Sequence, residues 1–132
     1  MAEEAAALVM NAYRTEFAPS EKGRADLVTE FDVQSERLIR RRLKERTPDL
    51  IVVGEEEGGR AEGATWFCDP IDGTTNFVHG HPFFCVSIGM VEINNTSESI
   101  TSLMSAADGA CYAAKDSGRN RVHPHQYGGA PG

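Results

Sequence analysis

The chain has 132 residues, a formal net charge of -7 at pH 7 and a sequence pI near 5.0. A length of this order suits one domain that buries roughly two-thirds of the surface its unfolded chain exposes. With 40% hydrophobic and 25% charged residues, the composition excludes the disordered class, and the acidic balance disfavours polyphosphates and anionic membranes as partners.

Residues 3–17 predict a helix with an apolar stripe through Ala6, Val9, Met10, Tyr13 and Phe17, ended by Pro19 and Gly23. "ADLVTEFD" (25–32) reads as a short extended segment, and Asp32 as the N-cap of a second helix from Val33 to about Arg46, closed by Pro48. The basic run "RLIRRRLKER" (37–46) lies on that helix. Its Leu38, Ile39 and Leu43 form a buried stripe and its basic side chains a solvated face, a reading preferred to nucleic-acid contact.

"LIVV" (50–53) and "TWFC" (65–68) read as short strands, separated by the Gly-rich acidic loop "GEEEGGRAEGA". Phe83 to Ile93 predicts a buried central strand with Phe84, Val86, Ile88 and Met90 on one face. After the loop "NNTSES" (94–99), Ser97 or Ser99 can cap a helix over about 100–117. Its stripe is Ile100, Leu103, Met104, Ala107, Cys111 and Ala114, with Lys115 in the last turn and Gly118 beyond it. The expected fold class is α/β (α+β), with helices packed on a small mixed sheet. Residues 124–132 have the composition of a disordered tail.

Cys68, Cys85 and Cys111 stand singly and are odd in number, which favours free thiols in a reducing, cytoplasmic setting over disulfides or a zinc site. The N-terminus carries acids where a signal peptide needs bases, and no apolar run approaches the length of about 18 residues that a membrane span needs. No membrane partner is expected.

The chemistry concentrates in "WFCDPIDGTTNF" (66–77). Carboxylates at a strand end beside an acidic loop repel one another and lose solvation, so a divalent cation is their natural companion. Mg²⁺, a hard ion that takes oxygen ligands, suits Glu55, Asp69 and Asp72, with Glu56 or Glu57 able to add more. Pro70 fixes its own φ and drives Asp69 towards extended geometry, so both acids can turn to one pocket. Gly73 and Thr74 then lead into a helix start whose free N–H groups favour phosphate. Plainer readings exist beside these: Asp32 as a helix cap, Glu56 and Glu57 as solvated loop acids, a capping turn for Asp69 and Asp72, and His79 and His81 as loop structure rather than zinc ligands.

"DLVTEFD", "VVGEEE" and "DPIDGTTNFVHGHPFFCVSIG", in that order, resemble the first half of the inositol monophosphatase family, Mg²⁺-dependent phosphomonoesterases. The resemblance implies that Glu55, Asp69, Asp72 and the Ile71 carbonyl hold metal. It implies also that Glu55 and Thr74 orient the attacking water, that Asp32 supports Thr74, and that the Gly73 and Thr74 amides contact phosphate. The implied substrate is a small phosphorylated sugar or polyol. Full members of the family are about twice as long and carry a further metal-binding aspartate in a Trp-Asp motif that this sequence lacks. The fold is therefore expected to be incomplete relative to its parent, with an exposed sheet edge that favours self-association.

From about Val86 onward, "VSIGMVEI" and "ADGACYAAKDSGRNRV" resemble the end of a GGDEF (diguanylate cyclase) domain, without that family's catalytic loop. The expected organisation is a phosphatase-like part over 1–90 joined at "VSIGM" to a GGDEF-like strand and helix over 86–123. Two functions follow: a Mg²⁺-dependent phosphomonoesterase with little activity alone, or a non-enzymatic chimeric fragment without cyclase activity.

Overall fold

In the computed structural model, residues 1–15, 20–21, 27–93, 100–118 and 122 are described. In chain order the elements are α1 (Ala2–Ala12), β1 (Ser20–Glu21), β2 (Leu27–Val28), α2 (Glu30–Arg46), β3 (Ile51–Gly54), β4 (Gly63–Asp72), α3 (Thr74–Val78), β5 (Cys85–Ile93) and α4 (Ile100–Asp116). Strands β1 and β2 form a small antiparallel pair. The main sheet has the order β3-β4-β5, parallel between β3 and β4 and antiparallel between β4 and β5. The expected α/β class, helices on a small mixed sheet, is the one observed.

Helices α1 and α2 cover one face of the sheet. Ala5, Ile39, Leu43, Val52 and Cys68 form one buried cluster there, and Val9, Ala12, Ile71 and Phe77 a second. Burying such side chains is the main favourable term in folding. Tyr13, Phe31 and Phe84 close around Phe77 with ring centroids 5.3–6.4 Å from it, edge-on or tilted, the arrangement aromatic quadrupoles favour. Helix α4 packs along β5.

Several expectations require correction. Helix α1 stops at Ala12 because Tyr13 turns extended (φ -58°, ψ 128°) and Arg14 adopts a left-handed φ of 64°. Its buried stripe is Ala5, Val9 and Ala12, while Ala6 is exposed and Met10 56% exposed. An alanine-rich sequence permits several stripes, and the small residues are the ones placed inside. Phe17, Pro19, Gly23, the 94–99 loop and the tail lie outside the described residues, as do the side chains of Leu103, Met104, Ala107 and Cys111.

Helix α2 begins at Glu30, and its N-cap is Thr29, not Asp32. The Thr29 hydroxyl accepts from the Phe31 and Asp32 N–H groups at 3.2 and 3.3 Å, and Asp32 Oδ2 accepts from Thr29 N at 2.8 Å. This reciprocal capping box has Asp at its third position where Glu or Gln is usual.

The central strand is β4, ten residues rather than four, because it finds partners on both sides. Among the described residues β5 pairs on one side only. It is mostly half-buried, and Met90 is 54% exposed. The segment expected at the centre therefore lies at an edge of the described sheet. Helix α4 occupies the span expected of it.

Thr29 is 3% exposed, so its capping contacts are shielded from water. Thr29→Ala should lower unfolding free energy by about 1 kcal/mol, read as a reduced urea midpoint with an unchanged slope.

Candidate functional site

The acids collect where two parallel strands end. Gly54 closes β3 opposite Cys68, and Glu55 N donates to Cys68 O at 3.2 Å, so Glu55 lies beside Asp69 at the adjacent strand's end. Carboxyl ends of parallel strands are where open α/β sheets hold ligands. A regular strand would then send Asp69 and Asp72, three apart, to opposite faces. It does not, because Asp69 pairs with Ser87 and Asp72 with Cys85, three residues against two. The extra residue is a β-bulge holding Pro70 and Ile71, and it restores both aspartates to the face carrying Cys85 and Ser87. Proline fits here because a bulge needs no ladder N–H at that point.

Three buried polar residues of α2 hold the segments around this strand end. Asp32, Ser35 and Glu36 continue the buried stripe of Ile39 and Leu43 towards the helix N-terminus. Asp32 Oδ1 accepts from the Thr74 hydroxyl at 2.9 Å. Ser35 Oγ donates to Pro70 O at 3.1 Å, which pins the bulge. Glu36, wholly buried, accepts from the backbone N–H of Glu56 at 2.7 Å and of Glu57 at 2.9 Å, so it fixes the loop that carries Glu55.

Arg40 completes the clamp. Its Nε donates to Glu36 Oε1 at 2.9 Å, one Nη to Val52 O at 3.0 Å and the other to Gly58 O. Gly54 must be glycine for this carboxylate to fit, since a Cβ there would lie 2.1 Å from Glu36 Cδ. Sequence reading placed neither Glu36 nor Arg40 in the site. The signal available was helical period, which puts residues 32, 35, 36, 39 and 43 on one stripe whatever their polarity.

Asp69 is pushed up to about 8, chiefly by burial, then by the charge of Glu55 and a hydrogen bond shared with it, and by Asp72; the Ile71 N–H at 3.2 Å works the other way. Asp69 thus keeps its proton near neutrality. Asp72 has other company. Its Oδ2 accepts from Lys115 Nζ, from Ser87 Oγ at 3.3 Å, and lies 3.8 Å from Cys85 Sγ. Burial alone would lower Lys115, but contacts with Asp72 and Cys85 outweigh it and raise it above the usual lysine range.

The donors are hard oxygens with excess negative charge, a set that suits Mg²⁺ better than a soft metal. Even so, among the described residues no three His, Cys, Asp or Glu side chains gather as a metal cage. The Ile71 carbonyl accepts from the Thr74 hydroxyl at 2.9 Å, and that hydroxyl has only one proton to share between Ile71 and Asp32. Gly73, at φ 94°, is the N-cap of the single turn α3, and a Cβ on it would meet Phe83 O at 2.9 Å. The Gly73 and Thr74 amides open that turn.

His79 Nδ1 lies 2.7 Å from Thr75 O at the end of α3, and His81 is exposed. On the basic face of α2, Arg37 pairs with Glu57 and Arg42 with Glu4 and Glu45, and Lys44 donates to the Pro48 and Leu50 carbonyls. Cys68 and Cys85 are free, and burial foremost pushes the Cys68 thiol up to about 12. Among the described residues no helix is long and apolar enough to cross a membrane.

Residues 1–119 match the model of the inositol monophosphatase family. The chain belongs to that family. It is 51% identical over 76 residues to inositol monophosphatase 2 of Solanum lycopersicum, covering 52% of this chain and 29% of that protein. It is 42% identical over 98 residues to inositol monophosphatase 1 of Sus scrofa, covering 69% and 35%. A solved Thermotoga maritima IMPase superposes with a TM-score of 0.63 at 36% identity, over 67% of this chain and 35% of that one. The chain therefore spans about a third of the length of the relatives it matches. The family match runs to residue 119, across the junction expected at 86–90.

Two outcomes follow. Arg40→Met leaves the buried Glu36 carboxylate without its counter-charge and should cost about 3 kcal/mol in urea unfolding. In metal-free buffer, the raised Asp69 makes the folded state bind more protons than the unfolded one between about pH 4 and pH 8. Its contribution to stability therefore declines as pH rises through that window. The stability difference between wild type and Asp69→Asn, measured with EDTA at pH 5 and pH 8.5, should shift towards the variant at the higher pH.

Proposed function

We propose that the chain carries the water-activating half-site of a Mg²⁺-dependent phosphomonoesterase of the inositol monophosphatase type, acting on a small phosphorylated sugar or polyol. The observation behind this reading is the pairing of an exposed Glu55 with a half-buried Asp69 at the parallel strand ends, with the Asp32-anchored Thr74 hydroxyl one turn beyond. In it, Glu55, Asp69, Asp72 and the Ile71 carbonyl are the metal ligands. A divalent ion held there supplies Lewis-acid charge for a phosphoryl oxygen and for an attacking water.

The chain's own residues have separate tasks. Glu55 takes the water's proton. Thr74, donating to Asp32, keeps a lone pair of its hydroxyl oxygen directed at that water, and the Gly73 and Thr74 N–H groups hold phosphate oxygens. Asp32 is a positioning residue, acting through Thr74. Turnover by this chain alone is expected to be feeble, because displacement of reacting groups by about 1 Å already costs on the order of 100-fold.

The competing reading, a chain that binds metal or phosphate without turnover, draws on Asp72 being engaged by Lys115. In the same proposal the 86–123 segment derives from a GGDEF domain joined at "VSIGM", and the sheet edges left unpaired among the described residues support self-association in the cytoplasm. Sequencing residues 80–95 from a single DNA molecule tests the junction, and sedimentation tests the association.

The activity test is phosphate release from inositol monophosphate by purified chain with and without Mg²⁺. Slow release that needs Mg²⁺ and disappears in Asp69→Asn is the expected result. Release indifferent to Mg²⁺ or to that substitution would overturn the assignment, and metal binding without release would favour the binding-only reading.

A further inference from the structure

Two acids on one face of β4 have opposite surroundings. Asp69 lies against Glu55 and shares its hydrogen bond, whereas Asp72 is bound to an ammonium delivered by α4. Lys115 arrives from the last turn of that helix, on the side of the sheet away from α1 and α2. Its partner oxygen, Asp72 Oδ2, also receives Ser87 Oγ, so this oxygen is engaged on two sides and directed towards β5 rather than towards Asp69. The ion pair thus accounts for the absence of a three-carboxylate cage among the described residues.

We propose that Lys115 is a tethered cation for the acidic site: it neutralises Asp72 in place of a divalent ion, and α4 thereby sets the affinity with which the site takes metal. The inference rests on reading Glu55, Asp69 and Asp72 as the metal-binding group. Three physical points support it. An ammonium and a divalent cation both seek the same carboxylate oxygen, so they exclude each other there. The pair is open enough to break, with side chains 32% and 40% exposed, and such pairs change an equilibrium constant by up to about fivefold. A released Lys115 also has somewhere to go, since the last-turn carbonyls of α4 attract a cation. Metal entry then proceeds by exchange, with Lys115 leaving Asp72 as the ion engages it.

The test is calorimetric titration of the full chain with Mg²⁺ and with Mn²⁺, comparing wild type, Lys115→Met and Lys115→Arg. Met keeps the apolar stem without the charge, and should bind either ion about twofold to fivefold more tightly. Arg keeps the charge and should bind no more tightly than wild type. In wild-type protein the Lys115 ε-methylene resonances should move in step with metal occupancy, a readout that does not depend on any variant folding. Equal affinity in wild type and Lys115→Met, weaker binding by the Met variant, or resonances indifferent to metal would overturn the tethered-cation role while leaving the site itself standing. Absence of binding by all three chains would overturn the metal site and this role together.

Discussion

The acidic end of the sheet exists because a carboxylate is buried beneath it. Glu36 has no solvent of its own, and its charge is matched by two loop N–H groups and the Arg40 guanidinium. Arg40 in turn holds carbonyls on either side of the loop, at Val52 and Gly58. A turn rich in glycine and glutamate has little reason of its own to hold one conformation, since its acids repel and its glycines are permissive. The buried pair supplies that reason. Everything Glu55 can do depends on it.

Helix α2 consequently has two jobs along one stripe. Its C-terminal half is apolar and joins the core through Ile39 and Leu43, with Trp66 Nε1 donating to Thr47 Oγ1 at 3.1 Å just past the helix end. The N-terminal half is polar, and each buried residue there serves a different segment: Asp32 the start of α3, Ser35 the bulge, Glu36 the acidic loop. Sites held by packed, hydrogen-bonded helices keep finer geometry than sites made of loops alone. The same helix also uses three of its basic charges inside the molecule, where Arg37, Arg40 and Arg42 pair with acids of the same chain.

Much of this was legible in the sequence wherever chemistry is local. Proline between two aspartates, glycine before a pair of threonines and a β-branched run before an acidic loop each signal their own conformation. Strand rank was not legible, because whether β4 or β5 lies inside the described sheet depends on pairing between distant segments, not on hydrophobicity. Glu36 and Arg40 escaped notice for a related reason. Their partners are backbone groups 12 to 21 residues away, and within a run of arginines a glutamate looks solvated. The Thr29–Asp32 capping box was available as T-E-F-D, but an aspartate invites assignment as the cap itself.

The bulge at Pro70 and Ile71 makes the length of the acidic motif a matter of parity. Side chains on a strand alternate, so two aspartates separated by an odd step can share a face only if the chain spends one residue off the ladder. Remove either residue between them and, in a regular strand, they would still share a face, but the bulge and the buried Ile71 that anchors it among Val9, Ala12 and Phe77 would go together. Add one to the bulged strand and Asp72 would swing to the apolar side beneath α1. The motif is thus constrained as a count before it is constrained as a composition, and its core-facing isoleucine is as much a part of the arrangement as the acids it separates.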